Sequence, residues 1–340
     1  MASKRTWEVR QALPEDSPQL TELFRVVFEF ARSASHDRWK FDDNPYGPPV
    51  IAVADDHGTL VGQYALWPMA LRLGQQVTPC AQSLDTMTHP DYRGQGMFTV
   101  LAEECMRYAA KRGIEALFGF PNENSFPGFV RRLDWDHTGD IPLWFRPLTI
   151  GRHRRVPAWG AATATAAARL LPKGDRGGFE VVAMAPLPVI LDAFLERCAR
   201  TSGACRVERT TRYLSWRFSS DSDMQYRWAS VYRDNALKAF GVWGIDLRTG
   251  NAVLAELLSD DAAAASAALA RMLRDALIAQ CPLMLAASAR PQLAPVFRRA
   301  SFMKRGCLPL IVRKLTPRTL GANVHVHANW DIFGADLDTF

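Results

Sequence analysis

The run Arg93-Gly94-Gln95-Gly96-Met97-Phe98 combines two glycines, a fixed cation and the start of an apolar helical pattern. Glycines leave backbone N–H groups unscreened, and bare N–H groups at the positive end of a helix dipole hold phosphate. The run is therefore expected to cradle a pyrophosphate. It is not a P-loop, which needs G-x-x-x-x-G-K-[ST], nor the G-x-G-x-x-G fingerprint, because Met97, Phe98 and Thr99 follow Gly96. Upstream, Asp85 interrupts the β-like segment Ser83-Leu84-Asp85-Thr86-Met87. A carboxylate inside a sheet next to a ligand site is a candidate general base, and its structural alternative is a pairing with a buried Arg or Trp N–H. Downstream, Asn122, Asn124 and Ser125 are polar groups for a ligand, with Asn124 or Ser125 also suited to cap a helix ahead of Pro127.

The surrounding pattern says how these residues are positioned. A strand near Trp7–Ala12 precedes a helix begun by Asp16-Ser17-Pro18, with Leu20, Leu23, Phe24, Val27 and Phe28 at helical spacing. A short helix over Ser35–Lys40 follows. Val50–Ala54 and Leu60–Leu73 read as a hairpin across Asp55-Asp56-His57-Gly58, and Cys80–Thr88 reads as the next strand. The Gly-rich loop then opens a helix carrying Val100, Leu101, Cys105, Tyr108 and Ala109 that ends at Gly113, before the short strand Ala116–Phe120. Strand, loop, helix and strand make a βαβ crossover, which places Cys80–Thr88 and Ala116–Phe120 as parallel neighbours with a ligand at their carboxyl ends.

The first half is faintly repeated. Trp39-Lys40-Phe41 recurs as Trp216-Arg217-Phe218; Phe129-Val130-Arg131-Arg132 with Trp135 recurs as Val296-Phe297-Arg298-Arg299 with Phe302; Ile141-Pro142-Leu143 recurs as Leu308-Pro309-Leu310. Their preserved order argues for a tandem duplication. In the second copy Ser259-Asp260-Asp261 runs straight into the helix Ala262–Ile278, so one cradle per chain is expected.

Taken with its flanking strand and helix, Thr88-His89-Pro90-Asp91-Tyr92-Arg93-Gly94-Gln95-Gly96-Met97-Phe98 resembles the acyl-CoA motif of the GNAT superfamily of N-acyltransferases, whose pattern is [RQ]-x-x-G-x-[GA]. Arg93 and Gly96 match, and Phe98 departs at the last small position. The resemblance covers residues 6–148 and, through the repeat, 179–315. It implies an α/β (α+β) protein of two tandem GNAT folds, each a mixed, mostly antiparallel sheet flanked by helices. The implied domains are 1–150, which is catalytic and binds acyl-CoA; a basic Ala-rich linker, 151–178; a degenerate second copy, 179–315; and a tail, 316–340, near the interdomain cleft.

The resemblance further implies pantetheine slotted between splayed strands. Main-chain groups of Met87 and Thr88 would bind it, with Arg93, Gly94, Gln95, Gly96, Met97 and Phe98 at the pyrophosphate and Asn122 and Asn124 near the thiol. Asp85 would take the proton of the acceptor amine. The tyrosine that serves many members as acid falls at Phe129, so Ser125, Tyr92 or solvent is left to protonate the thiolate. Trp39, Asn44, Phe126, Trp216 and Trp330 are expected to line the acceptor site. Similar tandem bacterial proteins imply acetyl-CoA, or another acyl-CoA, as co-substrate and a nucleotide-linked amino sugar as acceptor. Aminoglycosides, polyamines and protein amines remain open, as does a non-catalytic CoA- or effector-binding module with a docking second domain.

Composition bounds the partners. The 340 residues are 48% hydrophobic and 22% charged with a net charge of +6, an ordinary globular balance without the concentrated charge of a nucleic-acid binder. No apolar run reaches the ~18 residues that span a bilayer, and the first ten residues lack an apolar leader core. Six scattered cysteines without a C-x-x-C pair read as buried thiols in a reducing compartment. A cytoplasmic monomer or homodimer acting on a small-molecule amine, with no metal, is expected. His325 and His327 are spaced like ligands but lack companions, and His89 reads as a loop residue.

Overall fold

A computed structural model of the protein describes residues 6–149, 178–199 and 204–338, so the stretch read as a linker lies outside it apart from Gly178. The described residues form two units, each drawing on both halves of the sequence.

The first unit comprises residues up to Asp140, Ala204–Glu208 and Leu308–Asn329. Its sheet begins with β1 (Glu8–Gln11), β2 (Val50–Asp56), β3 (Thr59–Leu73) and β4 (Gln76–Thr88), each antiparallel to the next. β4 then pairs in parallel with β5 (Ala116–Gly119). The β2–β3 turn works because His57 and Gly58 adopt φ of 54° and 90°, the left-handed pair that a tight hairpin needs. Helices α1 (Ser17–Phe28) and α2 (Ala34–Phe41) precede β2, and α3 (Met97–Lys111) makes the β4–β5 crossover. Met97, Leu101, Ala102, Cys105, Met106 and Ala109 are its buried face, three and four residues apart. They pack on Val50, Ala52, Ala54, Tyr64 and Leu66 of the sheet. Each such large apolar side chain contributes about 1.5–3 kcal/mol. Gly62 makes the contact close, since a Cβ there would lie 2.2 Å from the Met97 sulfur. Helix α4 (Phe126–Arg132) follows β5.

The second unit comprises Ile141–Gly203, Arg209–Cys307 and Trp330 onward. After β7 (Glu180–Val182), α5 (Pro188–Ala199) and α6 (Thr211–Arg217), strands β9 (Met224–Arg233), β10 (Ala236–Asp246) and β11 (Ala252–Ser259) pair antiparallel. α7 (Ala262–Ile278) then carries the chain to β12 (Leu283–Ala287), parallel to β11, and α8 (Ala294–Arg299) follows. The order of pairings matches that of β2 to β5.

Two strands change unit midway. In β6 (Asp136–Pro147) the residues Leu143–Pro147 pair with β12, and in β13 (Met303–Lys314) the residues Ile311–Lys314 pair with β5. The changeovers fall at Asp140/Ile141 and Cys307/Leu308, where Ile141-Pro142-Leu143 and Leu308-Pro309-Leu310 begin. β8 (Cys205–Val207) pairs with Leu71–Leu73 of β3 in the first unit. The tail is divided likewise, residues 316–329 belonging to the first unit and Trp330 onward to the second. Cys80, Cys105, Cys198, Cys205 and Cys281 are buried, whereas Cys307 is exposed. No helix among the described residues is long and apolar enough to cross a membrane.

Candidate active site

The β4–α3 loop is shaped by its glycines and pinned by its neighbours. Gly94 and Gly96 have φ of +79° and +75°, and a Cβ at either would meet nothing within 4 Å. The backbone is thus left-handed, as glycine allows, beside open space that a ligand can enter. Gly96 stands at the head of α3, where N–H groups lack helical partners. Gln95 faces the other way, its Oε1 accepting from Trp7 Nε1 at 2.9 Å, and Tyr92 Oη donates to Asp56 Oδ2 at 2.5 Å. His89 is a loop residue whose Nδ1 faces the Asp91 N–H at 3.4 Å.

β4 and β5 pair only over Cys80–Ser83 and Ala116–Gly119. Beyond these residues lies a groove of about 700 Å³ lined by Thr86, Thr88, Arg93, Phe98, Asn122, Asn124, Ser125 and the α4 arginines Arg131 and Arg132, among others. The loop, the end of β4 and the start of α4 thus meet at one groove, with cations at its wall. Phe98 stands where a small residue was expected, and α4 makes room for it. A Cβ on Gly128 would lie 2.9 Å from the Phe98 ring, which packs edge-on against Phe129 at 5.2 Å.

Asp85 occupies a bulge. Gln63 pairs with Met87 and Ala65 with Leu84, so Asp85 and Thr86 together oppose Tyr64. Asp85 has φ of +43°, and its carbonyl accepts from Gln63 Nε2 at 2.9 Å. Its buried carboxylate pairs with Arg32 at 2.5 Å and Lys40 at 3.2 Å. Burial pushes its pKa up, but the attraction of Lys40 and Arg32 prevails and the net shift is downward. Both oxygens therefore serve cations that come from α1–α2 and α2. Arg32, with Asp37, Phe41, Thr21 and Gln63, also lines a second cavity of about 290 Å³ in this unit.

Ser125 holds the N-cap position of α4 but makes no side-chain cap bond, and the polar group that ties this turn together is Asn122. Its Oδ1 accepts from the N–H groups of Asn124 and Ser125 at 3.1 and 3.0 Å and from Ser125 Oγ at 3.1 Å. Phe129 is buried among Phe98, Tyr64 and Trp135. Met87 is buried under α1 with Leu23 and Phe24. Of the five residues expected to line the acceptor site, Trp39 is buried edge-on to Trp67, and Asn44 is buried with Nδ2 donating to the Pro68 carbonyl. Phe126 stands edge-on to His137, and Trp216 and Trp330 are buried residues of the second unit. His325 Nδ1 pairs with Asp136 at 2.9 Å, while the His327 ring covers Gly139. The pairing with a buried Arg, read as the structural alternative for Asp85, is present and includes Lys40 as well. The bulge was not legible from spacing, and the basic pair Arg131-Arg132 was visible but assigned no role.

Residues 8–138 match the family model of the acetyltransferase (GNAT) domain. Among solved structures, the fold is similar to a GCN5-related N-acetyltransferase from Anabaena variabilis, with 12% identity and a TM-score of 0.64 over 91% of this chain and 73% of that one. A conserved protein of unknown function from Enterococcus faecalis, a probable N-acyltransferase, shares 15% identity at a TM-score of 0.65, covering 92% and 73%. N-myristoyltransferase of Saccharomyces cerevisiae, solved with bound myristoyl-CoA, gives 13% identity and a TM-score of 0.66, covering 92% and 83%. Among curated proteins no sequence matches the chain. The family-model match lies within the first unit, and the likenesses to solved structures concern fold.

Proposed function

We propose that the first unit is an acyl-CoA-dependent N-acyltransferase that moves an acetyl group directly to a primary amine. The observation that carries this reading is the groove beyond the paired part of β4 and β5, flanked by a loop whose two left-handed glycines face open space. An extended pantetheine fits such an opening, with main-chain groups of Met87 and Thr88 as its partners. Its pyrophosphate would meet the N–H groups of Gly94 to Phe98 and the Arg93 cation. Asn122 and Asn124 stand at the thiol end. The amine nitrogen attacks the thioester carbonyl carbon, main-chain N–H groups hold the oxyanion, and the C–S bond breaks as the thiolate takes a proton. Asp85 is the proposed proton acceptor and Ser125 the proposed donor. Taking a proton requires Asp85 to release Arg32 or Lys40.

The proposed acceptor is a nucleotide-linked amino sugar met in the cytoplasm, a class suggested by the family resemblance alone. Phe126 is its proposed contact in the first unit, where Trp39 and Asn44 are buried; Trp216 and Trp330 are buried in the second unit. The second unit is proposed as a degenerate copy of the first. Asp261 supports this, because its carboxylate accepts from the N–H groups of Ala263 and Ala264 and so occupies the helix end that a phosphate would need.

A second reading, a CoA-binding module without turnover, is favoured by the double pairing of Asp85 and by Phe129 at the acid position. Calorimetry with acetyl-CoA, followed by thiol release against a panel of amino sugars, polyamines and aminoglycosides, separates the two. The acyltransferase reading expects one CoA per chain and turnover with one amine class. Binding without any turnover favours the module, and absence of CoA binding overturns both.

A further inference from the structure

The second unit has its own divergence of parallel strands, and it is filled. β11 and β12 pair only over Ala252–Leu254 and Met284–Ala286. Immediately beyond lies the chain's own segment Asp331–Leu337, strand-like at Phe333 and then turning through a single 3-10 turn, Gly334–Asp336. Ala289 N donates to the Ile332 carbonyl at 2.9 Å, and Ser288 bridges Phe333. Gly334 lies against β11 so closely that a Cβ would be 2.8 Å from the Leu254 carbonyl oxygen.

The contacts resemble those of a ligand in a built site. Three buried arginines read the segment. Arg290 Nε meets Asp331 Oδ1 at 2.5 Å, Arg209 Nη2 meets Asp336 Oδ2 at 2.8 Å, and Arg217 donates to the carbonyls of Ala335 and Leu337 at 2.9 and 3.0 Å. Tyr213 Oη adds a bond to Ala335 at 3.2 Å. Behind them Glu256 of β11 accepts from Arg290 at 2.5 Å and pairs with Arg209 at 3.0 Å. Glu256 precedes Ser259 by the same interval that separates Asp85 from Thr88, and each carboxylate sits between two cations. The two arginines outnumber Glu256 alone, and the segment supplies the balancing carboxylates. Burial of such charges is tolerated only when each finds a partner.

We infer that the opening between β11 and β12 is a peptide-binding groove, selective for a segment that turns at a glycine between two carboxylates, and that this chain fills it with Asp331–Leu337. The inference stands on the second unit alone and goes beyond the acyltransferase reading. It is tested with a chain shortened to Asn329 and a synthetic peptide of residues 330–340. The shortened chain is expected to bind the peptide saturably at one per chain, at least tenfold more tightly than a peptide carrying D331N and D336N, while the full chain binds neither. Equal binding of the two peptides, or equal uptake by full and shortened chains, overturns it. Should the shortened chain not fold, Gly334→Val in the full chain supplies the same test. Hydrogen exchange in the fragment around Ser288 and Ala289 should then accelerate at least tenfold, with Cys80–Met87 unchanged. Unaltered exchange in both fragments overturns the inference. Acetyl-CoA binding by the unmodified chain, measured alongside, reports on the first unit separately.

Discussion

Asp85 is the residue on which two roles meet, and its surroundings let them be separated. Removing one charge from a buried ion pair strands the other and typically costs about 3–5 kcal/mol. Asp85→Asn leaves Arg32 and Lys40 without their shared carboxylate, so the urea midpoint of the first unit is expected to fall substantially. If Asp85 is also the base, turnover per folded molecule should drop by about 10² to 10⁴ with CoA affinity retained. Normal turnover per folded molecule would leave Asp85 an anchor for α2 and nothing more. Phe98 and Gly128 form a second residue-level test. An alanine methyl at 128 would press on the Phe98 ring at 2.9 Å, so Gly128→Ala should destabilise the groove and weaken CoA binding. With Phe98→Ala the obstruction is gone, and Ala at 128 gains about 1 kcal/mol of helix propensity over Gly. The sign of the Gly128→Ala effect on stability should therefore reverse between the two backgrounds. A double-mutant cycle reads this directly, and additive effects would refute the coupling.

At the scale of elements, the β4–α3 loop is the part of the proposed site that depends on backbone alone. Gly96→Glu forces a side chain into a left-handed position and brings a carboxylate to the head of α3, where a pyrophosphate is proposed to lie. Acetyl-CoA binding by calorimetry should be abolished while the melting of the second unit is unchanged; undiminished affinity would remove this loop from the site. This loop was readable because its signals are local: glycines, a cation and an apolar stripe from Met97 to Ala109 within one stretch. The helix Ala262–Ile278 and the hairpin at Asp55–Gly58 were readable for the same reason. What stayed hidden depends on partners distant in sequence. The bulge at Asp85 requires knowing that Ala65 pairs with Leu84, and its cations arrive from residues 32 and 40. The changeover of β6 and β13 leaves no trace in periodicity, since a strand alternates alike whichever sheet it joins. The repeated Ile-Pro-Leu and Leu-Pro-Leu marked its position without stating its meaning.

For the whole molecule, the buried acids predict unequal resistance of the two units to acid. In the first unit Asp16 and Asp85 both have lowered pKa values. Hydrogen bonding to Arg10 is the main cause at Asp16; at Asp85 burial raises the pKa, but Lys40 and Arg32 outweigh it. A carboxyl depressed in the folded state contributes stability that is present above its unfolded pKa, near 3.9, and is lost as pH falls through the folded value. Both groups therefore push the first unit toward unfolding below about pH 4. The second unit contains opposing signs. Burial raises the pKa of Glu256, but Arg290 and Arg209 more than compensate, and its stabilisation is lost in acid as well. Asp336 is raised, chiefly by burial, so its folded form holds a proton more readily than the unfolded chain does. Its contribution is fully present below the unfolded pKa and declines as pH rises through the folded one, offsetting part of the loss at Glu256. On acidification, protection of the amides in β3 and β4 should consequently fail at a higher pH than that of β10 and β11. Hydrogen exchange from pH 5 down to about pH 2.5 tests the order. Asp336→Asn should leave the midpoint of the first unit in place while flattening the pH dependence that Asp336 imposes on the second. Simultaneous loss of protection in both units, unchanged by that substitution, would show that they unfold as one cooperative body despite their separate ion clusters.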